Sequence, residues 1–178
     1  MSQAKRYSLN RNKYLLDPEY ERLDTILKSF MDRDPRNCLL LTLALQTGAR
    51  AQELLNIEAT DLNDFEQSLF IRGIKGSNDR ELPLRPQLFN QIKKALPEQG
   101  PLFPISYPRL YQVWQNYRPV PKKFHSLRHT FAIRLYRKTK DIRLVQVALG
   151  HRNITNTMIY ADYLYSQQEF RKFEPPCS

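Results

Sequence analysis

The segment 35–48, PRNCLLLTLALQTG, restricts the possible folds more than any other part of this chain. Pro35 suits the first turn of a helix and Gly48 suits its end, so the segment is predicted to be helical. Apolar residues lie around most of its circumference, which is typical of a helix that is buried on all sides. A chain of 178 residues is long enough to surround such a helix with one domain.

Apolar spacing predicts further helices on both sides of this segment. The first has Asp17 as its N-cap and Pro18 in its first turn, and a later one is capped by Asp141 and ended by Gly150. The predicted segments are DPEYERLDTILKSFMDRD, RAQELLNIEATDL, PQLFNQIKKAL, YPRLYQVWQNY, HSLRHTFAIRLYRKT, DIRLVQVALG and ITNTMIYADYLY. In SLFIRGIKGSNDRELPL, two β-prone runs flank the turn residues 76–79, which predicts a β-hairpin. The expected fold class is α+β, mainly helical with a small antiparallel β-sheet.

The basic residues are concentrated in the C-terminal third of the chain. The net charge is +10, and residues 118–152 contain ten Lys and Arg residues but one acid, whereas residues 53–81 contain seven acids and three bases. This asymmetry indicates that a polyanion binds one face. A basic face that only keeps the protein soluble is the alternative, but the interleaved aromatic residues favour nucleic acid. The candidate DNA contacts are Arg118, Lys122, Lys123, Arg134 and Arg152.

The sequence carries no sign of export or of membrane insertion. No apolar run approaches the roughly 18 residues that span a bilayer, and no apolar segment follows the basic N-terminus. Cys38 and Cys177 are far apart and form neither a metal-binding pattern nor a disulfide framework. A cytoplasmic location with reduced thiols is therefore expected.

The three histidines, His125, His129 and His151, all lie in the basic third. His125 and His129 share a helix face, but Ser126 stands where the zinc-protease motif needs Glu, so no metal site is expected. Arg128 follows His125 by three residues, and one helical turn therefore presents an imidazole beside a guanidinium. This pair suits a phosphate, because a guanidinium offers a rigid fork of donors to two oxygens. If the pair stood alone, a salt bridge at Arg128 and a buried structural role for His125 would be a better explanation than phosphate binding.

The pair is not isolated, because TGARAQELLNI, IKGSNDRELPL, HSLRHTFA and VQVALGHRNITNTMIY occur in that order. Together these segments resemble the catalytic domain of the tyrosine recombinase (phage integrase) family, over about residues 39–163. The family pattern is an Arg, a hairpin Lys, His-x-x-Arg, a His or Trp, and a nucleophilic Tyr. It falls here on Arg50, Lys75, His125, Arg128, His151 and Tyr160.

The resemblance implies a site-specific DNA recombinase that cuts and rejoins strands through a 3′-phosphotyrosyl intermediate, with no metal, ATP or other cofactor. Tyr160 would be the nucleophile, His125 its base, and Lys75 the proton donor to the 5′-oxygen leaving group. The donors to the non-bridging phosphate oxygens would be Arg50, Arg128 and His151. Integration, excision and inversion are equally compatible with this chemistry.

Two other functions fit part of the same pattern. A type IB topoisomerase-like enzyme uses the same residue set, although the LGHRN segment and the small size favour a recombinase. A catalytically silent DNA-binding regulator would keep the fold but would not need Tyr160 and Lys75 together. The implied partners are double-stranded DNA with a specific site and further copies of the chain, as a tetramer on DNA.

The chain divides into a basic arm (1–13) that is expected to become ordered on binding, a catalytic domain (14–165), and a tail (166–178) that docks on a neighbouring protomer. About forty residues precede the matching block, so the chain is either a fragment or a minimal recombinase similar to the fimbrial phase-variation switches. Its length and initial Met favour the minimal recombinase. Glu53 and His129 are expected to support the site, and Tyr163 and Tyr165 to serve in packing or protomer contacts.

Overall fold

Helix α2 (Pro35–Thr47) forms the centre of the structure, a computed structural model of the chain that describes residues 7–173. Nearly all of its apolar residues are buried, and Gly48 ends it in the left-handed conformation with φ of 63°. The helices that pack against it are α1 (Asp17–Phe30), α3 (Ala51–Leu55), α4 (Pro86–Ala95) and α6 (Ser126–Thr139). The predicted helix and its central position are therefore confirmed.

Three further helices complete the domain: α5 (Tyr107–Tyr117), α7 (Ile142–Leu149) and α8 (Thr155–Lys172). Helix α7 starts and ends as predicted, since the Asp141 carboxylate accepts from the Leu144 amide at 2.9 Å and Gly150 has φ of 71°. Helix α8 runs without a break across the predicted start of the tail at residue 166. The predicted end of the tail segment at Pro175–Pro176, and Cys177, lie outside the described residues. None of the helices within residues 7–173 has the length and apolarity needed to cross a membrane.

The start of α1 differs from the prediction. Leu16 is the N-cap and Asp17 is the first helical residue, so the assignment of Asp17 as N-cap is wrong. The Leu16 amide donates to Glu19 Oε2 at 2.8 Å, and this carboxylate satisfies the helix start in place of Asp17. The Asp17 carboxylate instead lies 3.4 Å from the guanidinium groups of both Arg134 and Arg137 on α6.

The predicted hairpin is formed by β2 (Ser68–Ile71) and β3 (Arg80–Pro83), which pair antiparallel with Leu69 opposite Leu82. A third strand, β1 (Leu62–Asn63), pairs with the other edge of β2 and was not predicted. Two residues are too few to show the alternating pattern by which strands are recognised in a sequence. The mainly helical α+β fold class is confirmed.

The buried apolar residues form two clusters. The larger one surrounds α2, and the smaller one lies between α6, α7 and α8 and includes Tyr160. Leu9 and Tyr14 belong to the smaller cluster, with 8% and 5% of their surface exposed. The described part of the predicted arm, residues 7–13, therefore packs on the rest of the domain through Leu9.

Candidate active site

Arg128 lies in the first turn of α6 and is held by the ends of two other helices. Its Nη1 donates to the Gly48 carbonyl at 2.7 Å and its Nη2 to the Leu149 carbonyl at 2.8 Å. The side chain is almost completely buried. These carbonyls lie at the C-terminal ends of α2 and α7, where the helix dipole carries partial negative charge. The fold thereby fixes a guanidinium where three helices meet.

Arg50 comes two residues after Gly48 and is the N-cap residue of α3. Its Nη1 donates to Ser77 Oγ in the hairpin turn, and its amide donates to Glu53 Oε2 at 2.8 Å. About a third of its side chain, 31%, stays open to solvent. Arg50 is therefore fastened between α3 and the turn, with part of its guanidinium free to meet a ligand.

Glu53 has its principal partner in Arg80, a residue that the sequence analysis did not single out. Arg80 Nη1 and Nη2 donate to the two Glu53 carboxylate oxygens at 2.9 and 2.8 Å, and Arg80 Nε donates to the Ala148 carbonyl at 3.0 Å. Burial by itself would raise the pKa of Glu53, but the hydrogen bonds and charge of Arg80 outweigh it and hold the pKa below its ordinary value. The pair joins strand β3 to α3 and α7.

The position of Arg80 in β3 could have indicated its burial. Residues two apart in a strand share a face, and Arg80 shares its face with the half-buried Leu82 and lies opposite the buried Ile71. A buried arginine needs acceptors for its guanidinium, and a carboxylate is one that also compensates its charge. Glu53 is 27 residues away in sequence, so no local pattern connects the two.

His151 follows Gly150 at the end of α7 and pairs with the hairpin turn. Its backbone forms an antiparallel bridge with Ser77, and the Asn78 amide donates to the Gly150 carbonyl at 2.8 Å. A Cβ at Gly150 would lie 2.6 Å from the Asn78 oxygen, so the close approach requires glycine. His151 Nδ1 lies 2.9 Å from the buried Thr157 Oγ1, which orients the ring.

His125 and His151 are influenced by the same two arginines. Burial by surrounding protein atoms, followed by the charges of Arg128 and Arg50, lowers the pKa of each histidine to about 4. His125 nevertheless keeps an exposed surface. Ser77 meets both the Arg50 guanidinium and the His151 backbone, and Arg128 donates to the carbonyls two residues before each of them, so these residues lie in one positively charged region of the structure. Within residues 7–173, no three His, Cys, Asp or Glu side chains form a group that could hold a metal ion.

Lys75 lies exposed at the tip of the hairpin turn with φ of 27°. No hydrogen bond or salt bridge among the described residues involves its side chain. Among the described residues, Lys75 is therefore not hydrogen-bonded to the other predicted site residues.

Tyr160 lies on α8 with 1% of its surface exposed. Its Oη is 2.8 Å from His129 Nδ1. Burial raises the pKa of Tyr160, and the positive charge of Arg128 offsets this only in part. The neighbouring tyrosines are placed differently, because Tyr163 Oη lies 2.9 Å from Tyr14 Oη and Tyr165 is 67% exposed.

The predicted DNA contacts differ in their surroundings. Lys123 and Arg152 are exposed and Arg118 is half-buried. Arg134 lies over the Tyr20 ring at 3.7 Å. The Lys122 ammonium is engaged inside the protein, where it donates to the carbonyls of Arg11 and Tyr14 and to Glu19 Oε2. Lys122 therefore fastens the N-terminal arm to the domain.

The sequence profile of the phage integrase family matches residues 13–167 of the chain. The tyrosine recombinase XerA of Pyrococcus horikoshii is 29% identical over 164 residues, which cover 83% of this chain and 56% of that protein. The chain thus spans about half the length of the curated relatives it matches.

Two solved structures have similar folds. The XerH site-specific recombinase bound to difH substrate, a pre-cleavage complex, has a TM-score of 0.70 and 25% identity, covering 90% of this chain and 52% of that one. The catalytic domain of bacteriophage HP1 integrase has a TM-score of 0.66 and 26% identity, covering 93% of this chain and 98% of that one. The family profile, the relatives and the shared fold together show that the chain belongs to the phage integrase family.

Proposed function

We propose that the chain cuts and rejoins DNA strands at a specific site through a 3′-phosphotyrosyl link to Tyr160. The observation that carries the proposal is a set of contacts that joins the candidate residues. Arg128 donates to the carbonyls of Gly48 and Leu149, and Ser77 meets both the Arg50 guanidinium and the His151 backbone. The centre of the His125 ring lies 4.8 Å from the centre of the ring of His129, which contacts Tyr160. The similarity to named tyrosine recombinases and to a recombinase–DNA complex supports the same reaction. We infer a cytoplasmic location from this activity, because the DNA substrate lies there.

The positive region suits the negative charge that develops on a phosphate under attack. In this proposal Arg50 and Arg128 donate to its non-bridging oxygens, and each such donor contributes about 10²–10³ in rate. When Thr157 donates to His151 Nδ1, the single proton of the neutral ring lies on Nε2 and can be donated to the same oxygens.

The proton of Tyr160 must be removed as its oxygen attacks, because a tyrosine has an ordinary pKa of about 10. His125 is the proposed base, and its pKa of about 4 keeps it neutral at pH 7. A bound phosphate brings negative charge next to this ring, which raises its pKa and makes it a better acceptor. The new Tyr160–phosphate bond replaces the broken phosphodiester bond, so rejoining needs no external energy.

Lys123, Arg152 and Arg118 are proposed to contact the DNA backbone. Phosphate contacts fix the position of a protein on DNA, whereas the sequence is read through base contacts and DNA shape. Binding through such contacts should weaken steeply as the salt concentration rises.

The proposal is tested with a pool of nicked duplexes of random sequence, from which covalent adducts are isolated on a denaturing gel and sequenced. Recovery of one sequence motif, followed by strand exchange between two duplexes that carry it, is the expected result. Relaxation of supercoils without strand exchange would indicate a topoisomerase. Selective binding with no adduct under any condition would indicate a regulator and sink the proposal.

Replacing Lys75 by Ala is expected to slow cleavage about 10²–10⁴-fold, the range for loss of a general acid. The leaving 5′-oxygen needs a proton, whereas a sulfur at the same bridging position leaves readily without one. A duplex with 5′-bridging sulfur should therefore be cleaved by the Lys75→Ala protein at nearly the wild-type rate. Single-turnover adduct formation measures both rates, with Lys94→Ala on α4 as the control. An equal defect on both substrates would contradict the role of Lys75 as proton donor.

We also propose that the end of α8 docks on a second copy of the chain in a tetramer on DNA. Phe170 and Phe173 are 70% and 72% exposed and lie three residues apart, so together they form an apolar pair that a second copy can cover. A protein with both changed to Ala should keep its melting temperature but lose the tetrameric DNA complex in analytical ultracentrifugation. A tetramer that survives the double change would rule out this docking.

A further inference from the structure

A chain of two hydrogen bonds links the N-terminal arm to the proposed nucleophile. Tyr7 Oη lies 2.8 Å from His129 Nε2, and His129 Nδ1 lies 2.8 Å from Tyr160 Oη. The exposed fraction falls from 53% at Tyr7 to 5% at His129 and 1% at Tyr160. The buried end of this pair of hydrogen bonds is therefore the proposed nucleophile, Tyr160, and the exposed end is Tyr7 in the arm.

His129 can hold Tyr160 well only while both of its ring nitrogens are satisfied. Burial, followed by the nearby charges of His125 and Arg128, lowers the pKa of His129 to about 3, so the ring is neutral. A neutral imidazole has one N–H donor and one acceptor nitrogen, and each hydroxyl can take either part. The Tyr7 hydroxyl satisfies Nε2 in either tautomer, and its loss would leave Nε2 buried without a partner.

Tyr160 in this position is at rest rather than poised to react. Its ring packs in the smaller core with Ile133, Leu149 and Leu164, and almost none of its surface is open. A phosphate on a DNA duplex has to come within about 3–3.5 Å of the attacking oxygen. Tyr160 must therefore leave His129 before it can attack.

The arm that brings Tyr7 to His129 is fastened by few contacts. Leu9 enters the smaller core and Lys122 Nζ donates to the Arg11 carbonyl. The Lys13 ammonium, 3.8 Å from the centre of the Tyr7 ring, contacts another residue of the arm itself. The Arg11 side chain is exposed and that of Lys13 partly so. Both cations are groups that a DNA backbone attracts, so DNA competes with the domain for the arm.

We propose that Tyr7 is a positioning residue for the nucleophile. Its hydroxyl fixes His129 in the orientation that holds Tyr160 in the buried resting position, so that displacement of the arm releases Tyr160 toward the site. The inference rests on the proposed function, because it takes Tyr160 as the nucleophile.

The test is a Tyr7→Phe protein, which keeps the ring, its stacking on His129 and its contact with Lys13 but lacks the hydroxyl. Without DNA, nitration by tetranitromethane is followed residue by residue with mass spectrometry, since this reagent attacks accessible phenolate. Nitration of Tyr160 is expected to be about threefold to tenfold faster than in the wild type, the effect of losing one hydrogen bond. Tyr163 on the same helix should react at an unchanged rate, which separates local release from unfolding of α8.

Tyr165→Phe is the matched control, because Tyr165 is exposed and takes no part in the hydrogen-bonded chain. Equal nitration of Tyr160 in the Tyr7→Phe and wild-type proteins would overturn the inference, whatever the result with DNA. With a captured DNA sequence, Tyr7→Phe should also form the covalent adduct faster by a similar factor, and slower formation would overturn the inference. Faster nitration of Tyr160 with no adduct from any protein would support the holding role of Tyr7 and refute the recombinase proposal.

Discussion

A Tyr160→Phe protein is expected to bind its DNA site without forming any covalent protein–DNA adduct. The change removes only Oη, the atom proposed to attack the phosphate, and keeps the ring that fills the smaller core. Loss of a nucleophile costs on the order of 10⁶ in rate in a hydrolase, which would put the adduct below detection here. Binding should persist because the proposed phosphate contacts lie on other residues.

The adduct is measured on a denaturing gel with a nicked duplex, and binding is measured in parallel by titration at several salt concentrations. Tyr163→Phe and Tyr165→Phe serve as controls and should both retain the adduct. Removing Oη also leaves His129 Nδ1 without its partner, at a cost of about 1–3 kcal/mol in stability, so the variant is assayed well below its melting temperature. An adduct peptide that maps to Tyr163 would show that the nucleophile has been assigned to the wrong tyrosine.

Replacing Arg80 by Met is expected to lower the free energy of unfolding by about 3–5 kcal/mol at neutral pH, more than any other variant considered. Glu53 is fully buried and Arg80 supplies two hydrogen bonds to its carboxylate. Without Arg80, the remaining carboxylate is a buried charge with only the Arg50 contacts to compensate it. The free energy of unfolding is measured by urea denaturation.

The same variant should show a distinctive dependence on pH. In the wild type the pKa of Glu53 is lowered in the folded state, so its stabilising contribution is present above pH 4.3 or so, and is lost as the pH falls. In the Arg80→Met protein, burial is no longer outweighed and raises the pKa of Glu53 above its unfolded value. As the pH falls, Glu53 of the variant becomes protonated and the cost of its buried charge is removed. The difference in unfolding free energy between the two proteins should therefore shrink toward pH 4.

Two controls test whether this effect is specific to the Arg80–Glu53 pair or follows from removing an arginine in general. Arg72→Met removes an exposed hairpin arginine that pairs with Asp61 and should cost at most about 1 kcal/mol. Glu53→Gln should destabilise the wild type but restore part of the stability of the Arg80→Met protein, because it removes the unpaired charge. If Glu53→Gln lowers stability equally in both backgrounds, the two residues do not act as a pair.

The elements that could be predicted are those whose signals are local. Helix α2 carries its apolar pattern and its Gly48 end within 14 residues, and the hairpin carries its two runs and its turn within 17. The order and spacing of the four family segments led to the candidate site residues in the same way. The N-cap of α1 was missed because Asp17 and Glu19 can both satisfy a helix start, and the choice depends on the arginines of α6 that attract Asp17.

The contacts that could not be predicted join residues that are distant in sequence. Glu53 and Arg80 are 27 residues apart, and Tyr7 and His129 are 122 apart. The position of Arg80 in β3 indicates burial, but nothing near any of these residues in sequence identifies its partner. Only the packing of β3 on α7, and of the arm on α6, gives these side chains their partners and their burial.

The anchoring of the hairpin turn determines how far Lys75 can travel. Ser77 is paired with His151 and Asn78 with Gly150, so Lys75 lies two residues along the chain from a fixed point, with only Gly76 between. Two residues of extended chain span at most about 7 Å. If Lys75 is the proton donor, as proposed, so short a connection gives it an effective concentration on the order of millimolar or above near the site, whichever way the turn moves. The turn can therefore yield to an approaching duplex without losing the donor to solvent.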